Sequence, residues 1–228
     1  MTVVCCPVLL GQRLSDLNIR TPLPQSSTLV IGFLGGFEHW NDEHRSVRKL
    51  ALKLRERSGV FAESISNRNR RVALDLVRRA FDTNQDGDLD ADERASARII
   101  LYGQSLGGAA AVATARDLEK LKIPVLLTVQ VDSVGLRDQV VPPNVLAAAN
   151  FYQHDLLTIQ GRRNIRAADP EKTRIVGNFG ASYPLGPMRE TDTSWVRRAF
   201  GGSHAKMELD PKIWNQVGQL ILDAIARR

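Results

Sequence analysis

The sequence predicts an α/β fold, a three-layer sandwich in which a small, mostly parallel sheet is flanked by helices. Three observations carry this. Short apolar runs rich in β-branched residues alternate with segments of helical period, the intervening helices are long enough for right-handed crossovers, and no internal repeat or low-complexity stretch interrupts the alternation. With 228 residues and 43% apolar content the chain can bury one core, so a single domain over residues 1–228 is expected.

The elements follow in order. TLVIGF (Thr28 to Phe33) is an apolar run of strand length, DEHRSVRKLALKLRER (Asp42 to Arg57) has the spacing of an amphipathic helix, and GVFAESIS (Gly59 to Ser66) is a second strand. NRRVALDLVRRAF (Asn69 to Phe81) is helical, RIILYG (Arg98 to Gly103) a strand, GGAAAVATARDLEKL (Gly107 to Leu121) a helix and PVLLTVQV (Pro124 to Val131) a strand. Weaker strand signals lie at Asn150 to Gln153 and Thr173 to Asn178, and a helix opened by proline, Pro211 to Arg228, closes the chain. In such a sheet, ligand chemistry collects at the carboxyl ends of the strands.

Composition excludes several classes. The net charge is +6 and the sequence pI about 9.7, but the basic residues are scattered among acids rather than gathered with aromatics, which argues against nucleic acid and leaves peripheral contact with an anionic membrane surface open. Cys5 and Cys6 are the only cysteines, and they are adjacent, so neither a disulfide framework nor a cysteine metal site is available. The apolar run VVCCPVLL lacks a basic start and a cleavage pattern, and nowhere do about 18 apolar residues run together. The expectation is a soluble chain with no transmembrane segment and no recognisable signal peptide, its compartment and oligomeric state left open.

GQSLGG, Gly103 to Gly108, stands at the end of a predicted strand. A serine in G-x-S-x-G sits on a strained turn, and side chains two residues to either side would collide with neighbouring backbone. The motif alone is common. Its context is not: a buried strand enters the turn, and a helix opening in Gly and Ala leaves it.

On these residues the chain resembles the α/β-hydrolase family, and within it the small serine lipases and esterases. The resemblance covers roughly Leu29 to Ala226, lacks the antiparallel strands with which larger members begin, and shows no long lid insertion. It implies a triad in the order serine, acid, histidine, with Ser105 as nucleophile and His204, in GGSHAKMELDPKIW, as base in a glycine-rich loop before the closing helix. His154 is the rival base, whereas His39 and His44 open the first helix. Asp132, at the end of its strand, is the favoured acid; Asp169, Asp155 and Asp192 are loop alternatives. IGFLGG (Ile31 to Gly36) matches the family's oxyanion loop, with Ile31 where a histidine often stands, so the amides of Phe33 and Leu106 are the expected oxyanion donors. Trp195 and Phe200, within Gly180 to Gly202, could line an acyl pocket with Phe37 and Trp40, or simply pack.

Asp82, Asn84, Asp86, Gly87, Asp88, Asp90 and Glu93 fill the EF-hand loop pattern D-x-[DN]-x-[DN]-G-x5-E. Side-chain oxygens of Asp82, Asn84 and Asp86, the Asp88 carbonyl, Asp90 through water and both oxygens of Glu93 would hold Ca2+. The outgoing helix is cut short and no second loop pairs with this one, which favours a structural clamp over a sensor. Because the loop precedes the nucleophile strand, it belongs at the sheet edge opposite Ser105, about 20 Å away at roughly 3.3 Å per strand residue.

The expected function is hydrolysis of small-molecule or lipid carboxylic esters through an acyl-serine, with no cofactor in the chemistry. A thioesterase or acyltransferase using the same triad and a non-catalytic calcium-binding module are the alternatives.

Overall fold

A computed structural model describes residues 11–36, 38–154, 160–183 and 202–227. Its main sheet has six strands, all parallel: β1 (Thr28–Leu34), β2 (Val60–Ser66), β3 (Ile99–Gln104), β4 (Val125–Val131), β6 (Val145–Gln153) and β8 (Arg174–Ala181). The spatial order is β2-β1-β3-β4-β6-β8, so the chain steps outward from β1 to β2, returns across β1 to β3, and then proceeds to the other edge. Crevices for ligands open where the order reverses, between the carboxyl ends of β1 and β3.

Period-two alternation explains the layering. From β1, Leu29, Ile31 and Phe33 face one core with Ala73, Leu76 and Val77 of α2 (Arg70–Phe81) and Ala111, Ala115 and Leu118 of α4 (Leu106–Lys120). Val30 and Leu34 face the other, with Val47, Leu50 and Leu54 of α1 (Ser46–Arg55) and Trp214, Val217 and Ile221 of α6 (Pro211–Ala226). Two faces of one sheet thus receive two helix layers, as the alternating sequence predicts.

Several boundaries differ from expectation. The first helix begins only at Ser46, because Asp42 accepts hydrogen bonds from the His44 amide and the Arg45 guanidinium and holds the preceding residues in a turn. The Ala-rich VLAAAN belongs to β6, which starts five residues before the predicted strand; burial between β4 and β8 overrides alanine's helical preference. Val140–Val141 (β5) and Arg166–Ala167 (β7) form a separate two-stranded ladder that no periodicity marks. The closing helix is capped by Asp210, which accepts from the Lys212 amide, and ends at Ala226. No described helix is long and apolar enough to cross a membrane.

Between the layers, Tyr102 is fully buried on β3 and donates its hydroxyl to the Val47 carbonyl at 2.8 Å. Its ring occupies the space beside Gly32, where an added Cβ would lie 2.4 Å from Cζ. Gly32→Ala is therefore expected to destabilise the protein by about 1–3 kcal/mol through overpacking. Urea unfolding with an unchanged slope reads this; an unshifted midpoint would mean that Tyr102 can move aside.

Candidate active site

Ser105 follows β3 directly, with φ +55 and ψ −126, a region that non-glycine residues seldom occupy. Packing imposes that turn. A Cβ on Gly103 would lie 2.3 Å from the Gly107 carbonyl oxygen, one on Gly107 2.0 Å from the Phe33 oxygen, and one on Gly108 2.7 Å from Ser133 Cβ. The glycines let α4 press its first turn onto the end of β1. Ser105 N–H donates to Val131 O at 2.9 Å and Ser105 O accepts from Val134 N–H at 3.1 Å, so the turn is also tied to β4.

Register sets Asp132 beside Ser105. Gln104 pairs with Val131, so Ser105 and Asp132 leave adjacent strands side by side. Asp132 is fully buried and has φ +43. Its Oδ1 accepts from Gly161 N–H at 2.7 Å, and its Oδ2 accepts from His204 Nδ1 at 2.6 Å. A buried carboxylate needs such partners, and here one of them is the imidazole. Gly161 is required by contact, since a Cβ there would come 2.6 Å from Oδ1. Nothing in the sequence marks it.

With Nδ1–H donated to Asp132, the His204 Nε2 lone pair is free to accept, and the Gln104 side-chain nitrogen lies 3.3 Å from it. Gln104, buried and immediately before the serine, also sets its Oε1 against Gly35, 2.6 Å from where a Cβ would be. Among the described hydrogen bonds none joins Ser105 Oγ to His204; the Gln104 amide stands at that lone pair.

The histidine's support differs from expectation. His204 lies not in a loop but in the first turn of α5 (Ser203–Leu209), whose buried Met207 packs into the second core against the sheet. The glycines before it only deliver the chain to the helix. Its side chain is 12% exposed, enough for access from one side.

The other expected residues fall as follows. His154 follows β6, edge-on to Tyr152 at 4.9 Å, with Gly180 beside its Nε2. Asp169 lies in the turn before β8, bonded to Glu171 N–H and Lys172, at the opposite sheet edge from Ser105. Phe33 is inside β1, in register with Ile65 and Gly103, so its amide belongs to the sheet ladder, and the peptide that approaches Ser105 is one position past the strand, at Gly35. Leu106 N–H is a first-turn amide of α4, which a helix cannot satisfy internally. Trp40 packs on the second core and accepts at its carbonyl from Ser64 Oγ at 2.9 Å. Phe37, Asp155, Asp192, Trp195, Phe200 and the cysteines lie outside the described residues, as does most of Gly180 to Gly202.

The acidic loop runs between α2 and α3 (Ala91–Ser96), before β3 and hence at the opposite edge from Ser105. Gly87 has φ +96. Asp82 accepts from the amides of Asp86 and Gly87, Asn84 from Asp86, and Asp86 from Asp88. Asp90 caps α3. Hydrogen bonds from the Asp90 amide and then from Thr83 hold the Glu93 carboxyl down at about 2, well below its usual range, so it is ionised near neutrality. The donor set is chemically that of a calcium loop. As placed, however, no three acidic, His or Cys side chains among the described residues converge closely enough to hold an ion.

A groove of about 500 Å³ between α1 and α6 lies away from this chemistry, lined by Leu50, Leu54, Trp214 and Lys53 among others. No protein-family model matches the chain, and no curated protein matches it.

The strain at Ser105 has a measurable consequence. A non-glycine residue held in such a region costs about 1–3 kcal/mol. Ser105→Gly should therefore be more stable than Ser105→Ala by about 1 kcal/mol or more, because only glycine relieves the backbone. Equal unfolding midpoints for the two variants would remove the strain.

Proposed function

We propose that the chain is a serine hydrolase of the α/β-hydrolase kind that cleaves carboxylic esters through an acyl-serine intermediate. The observation that carries this is the 2.6 Å contact between His204 Nδ1 and the buried Asp132 carboxylate, at the sheet edge where the strained Ser105 turn emerges. Asp132 fixes the imidazole tautomer and stabilises the imidazolium that forms. His204 Nε2 takes the proton as Ser105 Oγ bonds to the ester carbonyl carbon, then returns it to the departing alkoxide, releasing an alcohol. Water, deprotonated by the same nitrogen, attacks the acyl-serine carbonyl carbon, and the Ser105 Oγ–carbon bond breaks as Nε2 returns the proton to Oγ, freeing the acid. Leu106 N–H and an amide of the turn after β1, rather than that of Phe33, are the donors suited to the oxyanion.

Ser105→Ala is expected to lower hydrolysis of p-nitrophenyl acetate by about 10³-fold or more, and His204→Ala comparably. His154→Ala should stay within about threefold. Full activity in Ser105→Ala would end the serine mechanism, and a severe His154→Ala would mean that the base is the other histidine.

Ca2+ has a structural role in this reading. Asp82, Asn84, Asp86, the Asp88 carbonyl, Asp90 and Glu93 would hold it, joining the end of α2 to α3 and the start of β3. A ligand that binds only the fold stabilises it by RT ln(1 + [Ca]/Kd), about 2.7 kcal/mol at a hundredfold excess over Kd. EDTA is expected to lower the melting temperature while turnover at low temperature is unchanged, and Asp82→Ala with Glu93→Ala to abolish the calcium response. A melting temperature indifferent to calcium leaves the loop a solvated acidic turn.

A further inference from the structure

The basic residues of α1 and its flanks fall into two sets. Arg45, Arg48 and Arg55 face carboxylates: Arg45 reaches Glu38, Asp42 and Glu208, and the other two meet the buried Glu63. Lys49, Lys53 and Arg57 are exposed and make no ion pair among the described residues. Lys49 and Lys53 stand one turn apart on the helix, Arg57 follows its end, and all three border the groove of about 500 Å³ between α1 and α6.

The floor of that groove is apolar and recessed. Leu50, Leu54 and Trp214 line it and are buried, and Trp214 donates its indole N–H to the Glu208 carbonyl, which leaves the ring as an apolar wall. Gly218 keeps the floor low where α6 meets α1, since a Cβ there would stand 3.3 Å from Leu50 Cδ1. Along α6 the wall runs from Pro211 to Leu222, about 16 Å at 1.5 Å per residue. The α6 rim carries the neutral amides of Asn215 and Gln219, and no described acidic side chain lines the groove. The acids of α6 and its cap are already engaged: Asp210 accepts from Lys212 N–H and the Tyr183 hydroxyl, and Asp223 from Gln219.

We propose that this groove binds a single-chain carboxylate, a fatty acid of medium length, with its alkyl chain against Leu50, Leu54 and Trp214 and its carboxylate on the stripe formed by Lys49, Lys53 and Arg57. The site is separate from the serine chemistry and does not depend on it. Two features select the occupant. An apolar floor under a rim of one sign suits an amphiphile with an anionic head, because a neutral head leaves three like charges unanswered and a cationic head adds to them. A recessed floor suits one monomeric chain rather than a bilayer, which takes up apolar side chains that project from a helix face. The lysine and arginine stems lie over the chain while their charged ends stay in water. The volume falls within the range of about 300–1,000 Å³ that small-molecule sites occupy.

The test is calorimetric titration of the protein with laurate below its micelle concentration, with melting temperature as the check on folding. One laurate should bind per chain, and from octanoate to dodecanoate Kd should fall about two- to fourfold for each added methylene. Dodecyltrimethylammonium, with the same chain and the opposite charge, should bind at least about tenfold more weakly. Lys49→Gln/Lys53→Gln/Arg57→Gln should raise the laurate Kd about tenfold at an unchanged melting temperature, whereas Lys49→Arg/Lys53→Arg should keep it within about twofold. Asn215→Trp, which fills the groove from its exposed rim, should abolish binding; the glutamine variant decides alone if the tryptophan variant does not fold. Absence of saturable laurate binding, or equal affinity for the cationic amphiphile, overturns the proposal. So does a Kd unchanged in both groove variants, which would place laurate elsewhere, beside Ser105 for example. Association with phosphatidylglycerol vesicles but not with monomeric laurate would make the face a membrane contact instead, and a sedimenting dimer that Asn215→Trp dissociates and laurate does not would make a second copy the occupant.

Discussion

One backbone contact governs the candidate site: the first turn of α4 lies against the end of β1, with Gly107 Cα facing the Phe33 carbonyl so closely that no side chain fits between. That approach forces the chain through positive φ at Ser105 and points the first-turn amides of α4 at the crevice between β1 and β3. The Ala- and Gly-rich start of α4 exists to permit it. Were the helix held farther out by a larger residue, Ser105 could relax, and neither its hydroxyl nor the Leu106 amide would project from the sheet edge.

Parallel register then does the remaining positioning. With Gln104 beside Val131, β3 and β4 end level, and the two polar residues that follow them are adjacent. Two buried carboxylates follow β4, and their partners separate their roles. Asp138 accepts from Ser133 Oγ at 2.7 Å and sits 3.4 Å from the Arg162 guanidinium, so it organises the loop. Asp132 spends one oxygen on Gly161 N–H and the other on His204. Burying an ionised carboxylate is costly unless it is paired, and both Asp132 oxygens are.

Much of this was legible in the sequence because strong signals are local ones. The buried strand before Ser105, the small residues after it and Asp132 at a strand end are patterns within a few residues, and the structure brings Asp132 and His204 into contact as the chain order suggested. What was not legible depends on distant contacts. Alanine-rich VLAAAN is a strand only because β4 and β8 flank it. Glycines before His204 suggested a loop, whereas a short helix follows them, held by buried contacts rather than by propensity. Gly161 looks like any loop glycine until the carboxylate of Asp132 is set against it. Phe33 was expected at the turn after β1, but the strand runs on to Leu34, because a strand's end cannot be told from its apolar pattern.

The polypeptide thus divides its polar chemistry between the two ends of one strand. At the start of β3 an acidic loop folds its carboxylates onto its own amides, and at the far end a serine is held in strain beside a buried aspartate and the histidine bonded to it. The central claim is that Ser105 is a nucleophile activated by His204. Its most direct test is reaction of the folded protein with a fluorophosphonate, followed by mass mapping of the adduct. The account predicts one adduct per chain, on Ser105, lost on heat unfolding and in His204→Ala. Labelling at another residue, or no labelling of protein shown to be folded, would contradict it.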